Sequence, residues 1–208
     1  MAKIEKKIVA VFYRTARGRQ PVREWLLALS DDDRREIGKD IQRIEFEWPV
    51  GMPHCRSIES ELWEVRSSIS DGRVARVLFS VDEGELFLLH GFIKKTRKTL
   101  EGDSALARKR LKEGRVKARH RGQEFSEFLD ELGIREDVES QAIKEILADQ
   151  VLAAMKEEKL SKTAMAARME TSRRALDRLL DPRNTSVTLR TMQKAAHAVG
   201  RRIQLELV

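Results

Sequence analysis

The stretch from Ser161 to Asp181 reads SKTAMAARMETSRRALDRLLD and decides how the last third of the chain folds. Ser161 precedes one helix-favouring run, and Thr171 or Ser172 precedes the next. A hydroxyl in such a position can accept a hydrogen bond from a free backbone N–H at the start of a helix. Small side chains in the first run let a second helix cross it closely. We therefore predict two short helices joined by a tight turn.

The second of these helices is predicted to have a basic outer face, because Leu176, Leu179 and Leu180 recur at helical spacing and turn inward. Basic and polar side chains at the N-terminal end of such a helix are typical of proteins that read DNA. The candidate DNA-binding residues are Thr171, Ser172, Arg173, Arg174, Asp177, Arg178 and, in the following loop, Asn184. An ordinary small helical bundle with a charged face is the alternative.

Helical patterns continue on both sides of this pair. Phe125–Leu132 and Ile143–Met155 carry apolar residues at helical spacing. Leu189–Val199 does the same and is followed by Gly200, a residue that commonly ends helices. Arg202–Val208 alternates apolar and polar residues, which predicts a final strand.

This C-terminal part resembles a known family. The stretch LSKTAMAARMETSRRALDRLLDPRNTSVTLRTMQKAAHAVGRRIQLELV resembles the Xre/HigA-type antitoxin repressors, and QEFSEFLDELGIREDVESQAIKEILADQVLAAMKEE before it resembles their N-terminal part. The resemblance covers about Gln123 to Val208. It implies a dimer that binds operator DNA and also masks a toxin.

The first half of the chain has a different pattern. From Leu62 the apolar period changes to two in LWEVRSSI, RVARVLFSV and ELFLLHGFI, with turns at Asp71-Gly72 and Glu83-Gly84. Ile8–Tyr13 is a further predicted strand. Helices are predicted after Pro21 and after Ser30, where Asp33 suits the helix start, and Pro49 ends the second one. The predicted fold is α+β, a helix hairpin on an antiparallel sheet, with a short helix at Ala105–Leu111.

One face of the predicted sheet is cationic. Trp63, Val65 and Ile69 fall on one side of their strand, whereas Glu64 and Arg66 fall on the other. Arginines can stabilise the charged phosphorane that forms when RNA is cleaved through its 2′-hydroxyl, and a lysine or histidine can transfer the protons. This chemistry needs no metal and no cofactor. A solvated cationic face is the alternative, and the three tryptophans are interpreted as core residues.

Four stretches in this half resemble the phage-derived branch of the RelE/HigB-like toxins: PVREWLLALS, IEFEWPVGMP, LWEVRSSISDGRVARVLF and LLHGFIKKTRKT. The resemblance covers about Val9 to Leu111 and implies a small α+β fold that cleaves mRNA, usually on the ribosome. It implies Arg66, Arg76, Lys94, Lys95 and Lys98 as candidate catalytic residues, and His90 is a further candidate. Many members have a terminal tyrosine or histidine close to Lys98, whereas the only tyrosine here is Tyr13. Lys95, Lys98 and His90 are therefore alternative general acids, and Glu64 is a candidate base. A packed strand residue without a catalytic role is the alternative interpretation of His90.

Charge and composition connect the two halves. The 208-residue chain has a net charge of +7, which favours nucleic acid as a partner. The segment Glu101–Gly122 has eight lysines and arginines against three acids, and so carries +5 of that charge. It is interpreted as a basic linker, with an arm that grips nucleic acid as the alternative. The domain boundaries are predicted as a toxin domain at 1–112, a linker at 113–124 and an antitoxin domain at 125–208.

The sequence thus predicts a toxin and its antitoxin in one chain. The expected partners are operator DNA, mRNA on the ribosome and a second copy of the chain, with no membrane. The toxin–antitoxin contact is expected either within a chain or between two chains. The single cysteine, Cys55, and the absence of a leader-like segment indicate a cytoplasmic protein. The alternative function is a DNA-binding transcriptional regulator whose toxin-like domain is inactive.

Overall fold

The computed structural model of the chain describes residues 5–94, 99–114, 120–181, 184 and 187–203. The chain divides into two compact units at Glu139/Ser140. We call Lys6–Glu139 the sheet unit and the described residues from Ser140 onward the helical unit.

The sheet unit contains a six-stranded sheet with strand order β2-β3-β4-β5-β1-β6. The strands are β1 Val9–Tyr13, β2 Cys55–Glu59, β3 Leu62–Ser68, β4 Val74–Asp82, β5 Glu85–Ile93 and β6 Arg121–Glu124. All neighbouring strands are antiparallel except β1 and β5, which are parallel. The fold of this unit is therefore α+β with a sheet rich in antiparallel pairs.

The predicted meander is present as β3, β4 and β5. Asp71 and Gly72 both have positive φ, as do Glu83 and Gly84. Two successive residues with positive φ match the right-handed twist of the flanking strands, and this explains why these turns join adjacent antiparallel strands. The turns predicted at Asp71-Gly72 and Glu83-Gly84 are therefore present.

Helices cover both faces of the sheet. They are α1 Pro21–Leu27, α2 Asp31–Glu47, α3 Thr99–Gly114 and α4 Phe125–Glu131. As predicted, Ser30 caps α2, since its hydroxyl accepts from the backbone N–H of Asp33 at 3.3 Å. The main core joins α1, α2 and α4 to one face of the sheet, and a smaller core joins α3 to the other. The tryptophans are core residues as interpreted, because Trp25, Trp48 and Trp63 all pack against the main core.

The sheet unit extends further along the chain than the predicted boundary. The predicted linker, 113–124, contains the end of α3 and the edge strand β6. Phe125 and Phe128 of α4 pack edge-on against Phe12 of β1, with ring centroids 5.8 and 5.3 Å apart. Because these aromatic side chains complete the main core, the structural division falls after Glu139 and not near residue 112.

Within its described residues, the regular elements of the helical unit are helices. They are the greater part of α5 Arg135–Glu157, which begins in the sheet unit, and α6 Lys162–Arg168, α7 Arg173–Leu180 and α8 Leu189–Ala198. The hydroxyls of Ser161 and Ser172 cap α6 and α7, as predicted, each at 3.1 Å from a backbone nitrogen. Gly200, with a φ of 65°, follows α8. The predicted final strand lies mostly outside the described residues.

None of the described helices is both long enough and apolar enough to cross a lipid bilayer.

Candidate nucleic-acid sites

Three of the predicted catalytic residues lie on one face of the sheet, the face that α3 covers. Arg66 of β3 and Arg76 of β4 are register partners. On the next row, Leu78 of β4 pairs with His90 of β5. The register shifts beside this pair, and Leu89, His90 and Phe92 consequently all contact the α3 side. Such an irregularity can re-aim a side chain, and here it adds His90 to the arginine face.

The two arginines share a buried carboxylate. Glu64 is fully buried and accepts hydrogen bonds from Nε of Arg66 at 2.5 Å and from Nη1 of Arg76 at 2.6 Å. The Arg76 side chain is only 5% exposed, against 27% for Arg66. Nε of Arg76 is buried and has no hydrogen-bond partner among the residues that the structure describes. The predicted cationic face is therefore a compact charge network in which one carboxylate offsets two guanidinium groups.

His90 is held at both ring nitrogens by residues of α3. Its Nε2 lies 2.9 Å from Oδ1 of Asp103, and its Nδ1 lies 3.3 Å from Nη1 of Arg110. Arginine can only donate, so Nδ1 accepts and Nε2 carries the hydrogen. Burial lowers the pKa of His90, although Asp103 opposes that shift. In this arrangement the imidazole is neutral and has no free nitrogen.

Tyr13, the only tyrosine, lies on the same side of the sheet as α3. Its hydroxyl donates to Oε2 of Glu113 in α3 at 2.5 Å. Its ring stacks on His120 at a centroid distance of 5.6 Å, and the Arg110 guanidinium lies 5.9 Å from the ring centre. Burial, followed by Glu113, raises the pKa of Tyr13 to about 12, so that the phenol stays protonated at neutral pH.

The sequence did not reveal Asp103, Arg110 or Glu113 as part of this site. All three lie on α3, and their meeting with His90 and Tyr13 depends on how α3 crosses the sheet. The predicted short helix at Ala105–Leu111 was the only available signal. It placed Arg110 on a helix but did not predict in which direction the Arg110 side chain points.

The three lysine candidates follow, in sequence, the strand that carries His90. Lys94 is exposed directly after β5, and its backbone N–H donates to the Val74 carbonyl at 2.9 Å. Lys95 and Lys98 lie outside the described residues. Within the ranges that the structure describes, no group of three or more histidine, cysteine, aspartate or glutamate side chains is arranged to hold a metal ion.

The helical unit has a second cationic surface on α7. Arg173, Arg174 and Arg178 are exposed beside Asp177. Asp177 accepts a hydrogen bond from Lys162 of α6 at 2.7 Å, and this contact lowers its pKa. The α7 surface is thus exposed, and its one acid is paired with a lysine from the preceding helix.

The remaining candidates on this side have local structural contacts. Ser172 caps α7, and the Thr171 backbone N–H donates to the Ala166 carbonyl at 3.0 Å. The Asn184 side-chain amide donates to the carbonyl of Arg178 at 2.9 Å. Asn184 therefore holds the chain that leaves α7.

Comparison with known proteins bears on the first half of the chain. Residues 24–112 match the family described as Phage derived protein Gp49-like (DUF891), a toxin-like family of the RelE/HigB type. The match begins inside α1 and ends inside α3, so that β1, β6 and α4 lie outside it. The predicted resemblance of this region to phage-derived toxins is confirmed at the level of the family. A search of curated proteins found no match.

Proposed function

We propose that this chain combines a toxin and its antitoxin. The sheet unit is an mRNA interferase that acts on the ribosome, and the helical unit is a DNA-binding antitoxin that represses the promoter of its own gene. The observation that carries the proposal is the match of residues 24–112 to a toxin-like family in a chain that also carries the α6–α7 pair. The basic outer face of α7 supports DNA as the second partner.

The proposed reaction uses the RNA 2′-hydroxyl as nucleophile. Its oxygen bonds to phosphorus while the bond from phosphorus to the 5′-oxygen breaks, which leaves a cyclic phosphate and a 5′-hydroxyl. Arg66 and Arg76 stabilise the charge on the phosphorane without changing their own protonation. Glu64 positions the two guanidinium groups, with which it forms hydrogen bonds at 2.5 and 2.6 Å.

His90 is the candidate for both proton transfers. Once α3 releases it, its neutral Nδ1 takes the proton of the 2′-hydroxyl, and the imidazolium so formed gives a proton to the 5′-oxygen. His90 shares a sheet face with Arg66 and Arg76, and a histidine can transfer protons near neutral pH. Both of its nitrogens are bonded to α3. The reaction therefore requires α3 to release His90 when RNA binds. The conformation in which α3 holds His90 is thus a resting form.

A growth and cleavage assay tests the toxin half. Expression of residues 1–139, which contain the whole sheet unit, is expected to arrest growth and cut mRNA on translating ribosomes, because without the helical unit the bound RNA can displace α3 from His90. The full chain should do neither. Arg76→Ala in the fragment should abolish both effects, and Arg17→Ala, in an exposed turn, should retain them. A well-folded fragment that leaves mRNA intact would contradict the proposed activity.

Binding to the chain's own promoter DNA tests the antitoxin half. Arg173→Ala and Arg174→Ala should weaken binding by the full chain. Each lost phosphate contact should also reduce the slope of log affinity against log salt by about 1. Lys156→Ala, an exposed change on α5, is the matched control. Unchanged affinity in both arginine variants would remove α7 from the DNA interface.

A second function, a DNA-binding regulator with an inactive sheet unit, is favoured by one observation. Glu64 already compensates Arg66 and Arg76, and α3 occupies both nitrogens of His90. Under this alternative, Arg66→Ala and Arg76→Ala would leave growth and mRNA unchanged in every context, whereas Arg174→Ala would still weaken DNA binding.

A further inference from the structure

We infer that the segment His120–Glu139 docks on the sheet unit as a regulatory element, and that its docking latches α3 over the Arg66–Arg76–His90 face. The occupant of this docking surface is the chain's own strand-and-helix segment, which follows the part matched to the toxin-like family. The effect of the latch on RNA cleavage rests on the proposed function, whereas the latch itself is a structural coupling.

The first half of the docking surface is the edge of β1 that does not pair with β5. Strand β6 pairs antiparallel with β1, with Val11 opposite Glu124 and Tyr13 opposite Arg121. Gly122 lies so close to β1 that an added Cβ would be 2.5 Å from the Phe12 carbonyl oxygen. Any side chain at this position would force β6 away from the edge.

The second half of the docking surface is apolar with a polar rim. Phe125 and Phe128 of α4 are fully buried and pack edge-on against Phe12. At the rim, Arg23 of α1 donates to Gln123 at 3.0 Å and to Glu131 at 2.7 Å. A strand added to a sheet edge together with buried aromatic anchors is a recurring way for one segment to bind another protein surface.

The docked aromatic side chains do not cover the candidate catalytic residues. Phe125 and Phe128 belong to the main core, on the α1 and α2 side of the sheet. The face with Arg76 and His90 is the opposite one, where α3 packs. Regulation by this segment must therefore reach the site through another element.

Tyr13 supplies that connection. Arg14, the next residue along the chain, forms two hydrogen bonds with His120. The Arg14 N–H donates to the His120 carbonyl at 2.8 Å, and His120 Nδ1 donates to the Arg14 carbonyl at 2.7 Å. His120 stacks on the Tyr13 ring, and the Tyr13 hydroxyl holds Glu113 of α3. Tyr13 thus contacts both His120, at the start of the docked segment, and Glu113, at the end of α3.

Hydrogen exchange of the full chain tests the latch directly. Gly122→Ala is expected to speed exchange in β6 and also in α3. Tyr13→Phe keeps the aromatic ring and removes the bond to Glu113, so it should speed exchange in the last turn of α3 by about three- to tenfold and leave β6 unchanged. The matched control is Gly51→Ala, because a Cβ there meets nothing within 4 Å.

The outcomes separate the latch from the proposed activity. Faster exchange in α3 with both variants supports the latch, even if no variant cuts RNA. In that case the proposed cleavage fails on its own. Faster exchange in β6 with an unchanged α3 in Gly122→Ala would overturn the latch. If Gly122→Ala does not fold, an unchanged α3 in the folded Tyr13→Phe protein overturns it instead.

Discussion

The sheet unit and the helical unit treat their charges in opposite ways. The buried polar and charged side chains of the sheet unit are Asp33, Gln42, Arg43, Glu45, Glu64, Ser67, Arg76, Ser80, Ser104 and His120, whereas those described in the helical unit are Lys144 and Glu145. Burying a charge is costly unless it is paired, and the buried carboxylates Asp33, Glu45 and Glu64 each accept a hydrogen bond from within the sheet unit. The arginines of α7 are exposed to solvent. Of the candidate catalytic residues, Arg66, Arg76 and His90 are thus bonded to other side chains, whereas the candidate DNA-binding arginines are exposed.

The largest expected effect tests whether α4 is part of the sheet unit. Phe128→Ala removes a fully buried ring that contacts Phe12 and should lower the free energy of unfolding of the sheet unit by about 3–5 kcal/mol. All three tryptophans lie in the sheet unit, so urea unfolding followed by tryptophan fluorescence reports on it selectively. The control is Leu152→Ala at a half-exposed position of α5. A loss below about 1 kcal/mol for Phe128→Ala would place α4 outside the cooperative unit.

The next effect tests the buried charge network. Glu64→Ala leaves Arg66 and Arg76 without their shared carboxylate and should destabilise the sheet unit by about 3 kcal/mol. Glu59→Ala removes a carboxylate from an ion pair with Arg108 that is exposed on both sides, and it should cost at most about 1 kcal/mol. The same tryptophan-monitored urea unfolding compares the two. Equal losses would mean that burial does not distinguish the Glu64 network from a surface ion pair.

Local patterns in the sequence predicted the elements whose causes are local. The period of two, the turns at Asp71-Gly72 and Glu83-Gly84 and the serine caps all act within a few residues, and each was found as predicted. Strand β6, Arg121–Glu124, has no β-strand pattern and exists because β1 has a free edge beside it. The pairing of Glu64 with Arg76 joins adjacent strands, and the contact of His90 with Asp103 depends on the path of α3. Neither is fixed by residue spacing, so the residue types of the site were predictable and its closed state was not.

The stability of the sheet unit should also depend on pH, through the buried side chain of Glu45. Burial raises the pKa of Glu45 to about 7, while Lys6 acts against this shift. Since the pKa in the folded state is above that of an unfolded glutamate, the folded protein holds this proton more tightly. The resulting stability is fully present below about pH 4.5 and is lost as the pH rises through about 7.

Glu45→Gln tests this expectation. The amide can still accept the hydrogen bond from the Ala10 N–H, which is 2.8 Å from the carboxylate in the parent chain. The variant should gain stability over the parent between pH 4.5 and pH 8, by up to about 3 kcal/mol at one pKa unit per 1.36 kcal/mol. Groups that titrate in both proteins cancel in the difference. A difference that is flat across this range would show that Glu45 has an ordinary pKa.

The smallest expected effect belongs to the helical unit, where stability and the proposed DNA contact meet in one residue. Ser172→Ala removes the cap of α7 and should cost about 1 kcal/mol, measured by circular dichroism because this unit has no tryptophan. Ser172→Asp should keep the cap and the stability, since aspartate caps helices as well as serine does. It also adds a negative charge beside Arg173 and Arg174, and should therefore weaken DNA binding more than Ser172→Ala does. If the aspartate variant binds DNA as tightly as the parent chain, the start of α7 does not face the phosphates, and the contrast between a closed sheet site and an open helical surface loses its functional meaning.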